Sequence, residues 1–517
     1  MKKIVSSVFL GAILAVCAFA AGGKEPMATG NSAKELSVHM VQNGFVFDED
    51  WEIYRYAALQ NNVKLKGVAS KNNTNATQAF NLMVASGKLP DIISFTVADL
   101  EKLGSDGGVI DLTQLINDYA PNISAFMQAH PRFAKDMYAL DGKIYAIPTF
   151  YDYDKLNVAY GLFIRTDWLK KFNLKTPTTV AELEAVLTAI VNGDANGNGK
   201  KDEIGLFARS PGGVADAVRY SAGMLGARHM GSFYVENGKV NYNPLEPTFK
   251  TAIATLADWY KKGLVDYELF TRGGAARDRV LPTNLGTATF DWFVSTAAYN
   301  RTVTDIPGFE FLPIPPLKNE TGAIVSRSVA RGTTNGSGWS ISASASDPVA
   351  AIKFMDWWFS EDGRRAWNWG IEGKHYVIKD GRPVFTELVL DNPEKLTPIQ
   401  VLYKAGSQIA GVGVWQDAEY EIATASDIAK KGWQIYMQPG NCFDDIPILK
   451  FSTEDQNEIK KLMAPINQTT AEYVQKWILG AADINQDWDS YVKRITSQGL
   501  PRVLQLQQAA YDRFNAN

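Results

Sequence analysis

The chain has 517 residues, a formal net charge of −4, and 46% hydrophobic against 21% charged residues. That length accommodates two or more domains, the balance excludes an intrinsically disordered chain, and the mild acidity excludes the broad basic face that nucleic acid requires. Aromatic residues are abundant, with 13 Trp, 21 Tyr and 25 Phe; such rings fill cores and also stack on the apolar faces of sugars.

The N-terminus reads as an export signal. Lys2 and Lys3 precede an apolar run from Ile4 to Val16, which is too short to span a membrane. Ala18 to Ala20 fits a small-residue cleavage site, so residues 1–20 are a signal peptide and 21–35 a polar tether. A lipoprotein box ending in Cys17 competes, with Val16 an unusual residue just before it. Either way the protein is exported, in the periplasm or tethered to the outer face of the cytoplasmic membrane. Beyond the leader only Cys442 remains, which excludes a disulfide framework and a cysteine-based metal site.

The folded part opens with alternation over Leu36–Met40, helical spacing over Trp51–Asn62 and alternation again over Val63–Gly67. Thr77–Ser86 reads as a helix capped by Thr74 or Asn75, and Leu89–Phe95 as a short buried strand. Gly104–Tyr119 gives a loop and helix, and Asp141–Pro148 a turn feeding a strand. A second series follows. It has a strand over Leu162–Ile164, a helix over Thr166–Phe172, and a helix started by Thr178 or Thr179 with Glu182 as its box partner. Further strands fall at Ile204–Phe207, Ala288–Phe290, Phe309–Ile314 and Trp339–Ile341. Helices fall at Pro348–Phe359, Ala471–Leu479, Asp487–Thr496 and Arg502–Arg513. Strands alternating with helices predict open α/β sheets.

Between the helix begun at Pro177 and the strand at Ile204 lies a loop rich in oxygen ligands. Asp194, Asn196 and Asn198 alternate, Gly197 and Gly199 let the backbone bend, Lys200 offers its carbonyl, and Asp202 and Glu203 add charge. Calcium takes six to eight hard oxygens at roughly 2.3–2.6 Å, and this spacing suits a structural Ca2+. The match to an EF-hand loop is partial, because Gly205 stands where that pattern has its Glu. A plain polar turn is the competing reading.

Several motifs in this order resemble the family 1 extracellular solute-binding proteins of ABC importers. Within the family the likeness is to the large alginate-oligosaccharide receptors and LipO-type lipoproteins. The likeness rests on Lys88–Ile93, Phe163–Leu169 followed by Pro177–Leu183, the 194–203 loop, Ala351–Trp357, Trp367–Tyr376 and Trp488–Lys493. It implies a two-lobed periplasmic-binding-protein fold of type II, with a solute held in the cleft. Lobe 1 would comprise residues 36–150 plus 312–358, and lobe 2 residues 151–311 plus 359–517. The chain would leave lobe 1 after about Pro148, return near Phe311–Pro313 and cross again near Phe359. The partners implied are a carbohydrate ligand and a membrane permease, with the receptor itself acting as a monomer.

Ligands in such sheets sit at the carboxyl ends of strands, so the candidates are residues in or just beyond those ends. Gln42 and Asn43 follow the first strand, where a cap or turn is the alternative, and Ser94 and Thr96 follow the third, where a plain loop is the alternative. Tyr151, Asp152 and Tyr153 stand near the expected crossing. Arg209 suits a carboxylate or a hydroxyl pair, or an interlobe or surface ion pair. Asp291 and Trp292 are the strongest candidates, the likeness placing a stacking tryptophan there; the alternative is a core ring with a capping Asp. Trp369, His375 and Tyr376 lie in a glycine-containing stretch, and Trp415 with Gln416 is expected to line the cleft from lobe 2. None of the four histidines has zinc-ligand spacing. The reading is a receptor rather than an enzyme. Two alternatives remain open: a peptide receptor on the same fold, and a glycosidase using Asp152 with Asp291.

Overall fold

A computed structural model describes residues 33–152, 156, 158–227, 233–409, 412–443 and 446–516. The expected leader, most of the tether, and Tyr153 lie outside the described residues.

Two sheets organise residues 34 onward. Their strands, in chain order, are β1 Lys34–His39, β2 Val63–Gly67, β3 Ile92–Thr96, β4 Ile147–Asp152, β5 Tyr160–Arg165, β6 Ile204–Leu206, β7 Gly286–Trp292, β8 Phe311–Pro313, β9 Thr334–Ile341 and β10 Val414–Asp417. The first sheet runs β10-β4-β9-β3-β1-β2. In it β1 is parallel to β2 and β3, β9 is antiparallel to β3 and β4, and β10 is parallel to β4. The second runs β8-β5-β7-β6, with β7 antiparallel to β5 and parallel to β6.

The central strands β3 and β5 are buried along nearly their whole length, as near-continuous apolar strands covered on both faces must be. Each sheet has its own core. Leu36, Ile92, Phe150, Trp339, Trp358 and Val414 belong to the first, and Leu162, Phe207, Phe290, Phe311, Trp259 and Trp477 to the second. Helix ends follow local chemistry. Asn75 caps Ala76–Ser86 by accepting from the Gln78 amide at 2.9 Å, and Gly87 ends it at a φ of 65°. Thr179 and Glu182 close a reciprocal capping box on Val180–Val191.

The chain passes between the sheets after β4 and returns between β8 and β9. The third crossing differs from the expectation at Phe359. Phe359, Ala366, Trp367, Ala405, Ile409 and Val412 all pack into the first core, and β10 hydrogen-bonds to β4. Residues 359–417 therefore belong with the first sheet, and Ala418, Ala429, Trp433 and Tyr436 open the next contribution to the second core. Tyr151 and Asp152, expected beyond the first crossing, are likewise part of β4. The C-terminal helices Thr453–Ile478 and Ile484–Ser497 pack on Pro247–Lys261, and Leu500–Ala516 packs on those two.

Candidate functional site

A cavity of about 1100 Å³ opens between the two sheets. Parallel and antiparallel strand ends deliver side chains to it from both sides. From the first sheet come Tyr151 of β4 and Gln416 of β10, joined by Asn43, Trp367 and Tyr403. From the second come Tyr160 of β5, Arg209 beyond β6 and Trp292 at the end of β7, joined by Arg219 and Tyr299. Asn43 and Gly44 form the two-residue turn of a small hairpin, Val41–Gln42 against Phe45–Val46, with φ of 52° and 83°. Such a turn needs positive φ at both positions, which Asn-Gly supplies, and it leaves the Asn43 amide exposed at the rim.

Strand alternation separates Trp292 from Asp291. The Trp292 ring is half-buried, lies 5.9 Å from the Tyr160 ring centre, and donates its indole N–H to the Tyr220 hydroxyl at 3.1 Å. Asp291 is 1% exposed and is fully engaged within the protein. Its carboxylate accepts from Arg209 Nε at 2.8 Å, Arg277 Nη1 at 3.4 Å and the Trp292 amide at 2.7 Å. Burial works to raise the Asp291 carboxyl, but the Arg209 and Arg277 charges outweigh it and hold the group below the usual carboxylate range. The Arg209 fork is thus committed to Asp291.

Gln416 is buried; it accepts from the Trp367 indole at 3.1 Å and donates to the Tyr420 hydroxyl at 2.9 Å. Glu421 takes two bonds from Arg331, at 2.6 and 2.7 Å, and Asp278 accepts from the Tyr299 hydroxyl.

Of the sequence candidates, Asn43, Tyr151, Arg209, Trp292 and Gln416 line this cavity. Asp291 lies behind it. Gln42 and Ser94 are buried, and Thr96 caps the following helix, accepting from the Asp99 amide at 3.2 Å. The Asp152 backbone pairs with Asp417. Trp415 points to the opposite face of β10 from Gln416, with Arg364 3.8 Å from its ring centre. Both residues come from the first sheet rather than from lobe 2. Trp369 packs on Phe385, and His375 accepts from the Ile371 amide at 3.0 Å. Tyr376 starts a short hairpin with Phe385 opposite it. Trp369 and Tyr376 stand in a satellite core, and His375 is buried.

The 194–203 loop takes the shape its composition dictates. Asp194, Gly197 and Gly199 have φ of 49°, 77° and 79°. Asn196 Oδ1 accepts from the Asn198 amide at 3.0 Å, and Asn198 Oδ1 from the Lys200 amide at 2.8 Å. The side-chain amides of both asparagines donate to Asp202. Among the described residues no three His, Cys, Asp or Glu side chains converge as a metal cluster. Yet Asp194 Oδ1 and Glu203 Oε2 are buried without a hydrogen-bond partner. Two orphaned carboxylate oxygens in one loop are costly and are the donor chemistry that a hard cation satisfies, so the residues present fit calcium.

The sequence profile of the bacterial extracellular solute-binding proteins matches residues 53–370, more than half of the chain. The crystal structure of the alginate-binding protein AlgQ2 without calcium ion superposes with a TM-score of 0.84 at 35% identity, over 94% of this chain and 99% of that one. The chain is a bacterial extracellular solute-binding protein. The fructooligosaccharide ABC transporter substrate-binding protein FusA of Streptococcus pneumoniae is 26% identical over 463 residues, 84% of this chain and 82% of FusA. The structure of an EF-hand mutant of FusA shares the fold at a TM-score of 0.76 and 20% identity, covering 94% of this chain and all of that one. The two-domain architecture of this family is the one described above. For this solute-binding protein the sequence reading missed Tyr160, Arg219, Arg277, Tyr299, Arg331 and Tyr403. Tyr160 was within reach, since it begins β5. The others sit on helices or on the return segment, where no strand end marks them.

Proposed function

We propose that the chain is the extracytoplasmic receptor of an ABC importer and that its cleft takes an oligosaccharide, which it passes to a membrane permease unaltered. The observation that carries this reading is the composition of the interdomain cavity. Trp292, Tyr151, Tyr160 and Tyr403 provide ring surface, while Asn43, Gln416 and the arginines provide hydroxyl partners. Alginate and fructooligosaccharide binding in the relatives' names supports the same class of solute.

Affinity arises from stacking and hydroxyl hydrogen bonds. Specificity arises because a wrong sugar leaves buried polar groups unpaired. Closure is a population shift toward the state in which both domains touch the ligand. A binding role is further supported by the described carboxylates in the cleft wall and just behind it. Asp291, Glu421 and Asp278 are each held by protein donors, whereas glycoside hydrolysis needs a pair of carboxyl groups free to act as acid and base or nucleophile. The loop oxygens of Asp194, Asn196, Asn198, Lys200, Asp202 and Glu203 would hold a calcium ion that braces the second domain without touching ligand. Export with cleavage after Ala20 or lipidation at Cys17, and action as a monomer, complete the reading.

A thermal-shift panel of mono- and oligosaccharides, uronates and peptides tests it, because a ligand that binds only the folded state raises the midpoint with concentration. Stabilisation by oligosaccharides is the expected outcome. Stabilisation by peptides alone would overturn the sugar reading.

A further inference from the structure

We propose that Arg219 receives a carboxylate carried on the sugar, so that the ligand is an oligosaccharide containing a hexuronate unit. The inference rests on the reading of the cleft as an oligosaccharide site and narrows it.

Four arginines line the cavity. Arg209 and Arg277 converge on Asp291, and Arg331 is forked onto Glu421. Arg219 differs. It stands on the helix Val214–Ser221 and is half-buried, and among the described residues it forms no ion pair. Among the described residues its one hydrogen bond is long, 3.5 Å from Nη2 to the Tyr160 hydroxyl, and its Nε is buried without a partner there. What holds it is aromatic. The guanidinium carbon lies 5.3 Å from the Tyr160 ring centre and 5.4 Å from that of Tyr220. Cation–π contact orients a guanidinium and leaves its charge and its donors unspent.

Those two rings also frame Trp292. Tyr220 accepts the indole N–H, and Tyr160 lies edge-on to the indole. A sugar stacked on Trp292 therefore has close by, in Arg219, a cation that no ion pair among the described residues commits. Closing the cleft over a neutral sugar would desolvate that cation with no carboxylate paired to it among the described residues, which is costly. A carboxylate supplies the charge and accepts two parallel N–H bonds from the guanidinium fork.

The test is titration calorimetry of the mature chain and its Arg219→Gln variant. The probes are oligogalacturonate and oligomannuronate trisaccharides, each beside its carboxyl-reduced neutral counterpart. At least one uronate trisaccharide is expected to bind the wild type about ten- to a hundredfold more tightly than its reduced form, the range of a charge-assisted bond. That advantage should weaken with added salt and largely disappear in Arg219→Gln. Should that variant fold poorly, Arg219→Lys keeps the charge without the fork and should retain only part of the advantage. Equal binding of acid and reduced forms to the wild type, or an acid preference that survives Arg219→Gln, would overturn the assignment and leave the oligosaccharide receptor standing. Failure of every saccharide, charged or neutral, to bind would overturn both.

Discussion

Trp292 and Asp291 divide the labour of one strand end: the ring faces the cleft and the carboxylate anchors two arginines behind it. Trp292→Ala is expected to weaken oligosaccharide binding at least about tenfold, since a stacked ring contributes contact area that alanine lacks, while the thermal midpoint moves little because the indole is only half-buried. A fall in midpoint with affinity intact would instead assign the ring to the core. Asp291→Asn has the opposite signature. It leaves the Arg209 and Arg277 charges without their partner, and chemical denaturation should show a loss of about 3–5 kcal/mol, as for other broken buried pairs. His375 gives a pH signature. Burial is the main cause that lowers its imidazole below the ordinary value of about 6.5. The unfolded chain then takes up a proton there that the folded chain resists, so this contribution to stability is present above about pH 6.5 and lost as pH falls below it. Denaturation midpoints at neutral and mildly acidic pH should diverge less in His375→Gln than in the wild type; an unchanged divergence would contradict this.

At the scale of elements, the calcium loop makes the sharpest prediction. Chelation should lower the thermal midpoint of the wild type and leave a Asp194→Ala variant unmoved, because only an intact loop has oxygens for the ion to satisfy. An identical midpoint with and without chelator in the wild type would refute the ion. Elements whose local chemistry agrees with their setting were legible in the sequence: the strand Val63–Gly67 and the capped helix begun at Thr179 appear as expected. The helix Thr453–Ile478 was legible only in its C-terminal part. Its first half is charged, and Pro465 reads as a break. Tertiary contacts override that signal, since Met463, Ile466, Thr469 and Thr470 beside the proline are buried. The third crossing was missed for a related reason: nothing local in Val414–Asp417 says which sheet the strand joins, a choice made by its pairing with β4.

From residue 34 onward the chain forms two sheet-based domains with the cavity between them. The segments joining them run between β4 and β5, between β8 and β9, and beyond β10. From the sequence, strand-end logic brought five of its candidates to the cavity wall, because strands deliver their ends to the gap between sheets. It missed the helical arginines, which approach that gap from the side. The account predicts that grip and release, rather than chemistry, are what this geometry provides. The direct measurement is a calorimetric titration with a candidate oligosaccharide, followed by chromatography of the recovered ligand. The account predicts saturable binding with one ligand per chain and a ligand returned at its original length. Recovery of shortened or otherwise altered sugar would contradict it.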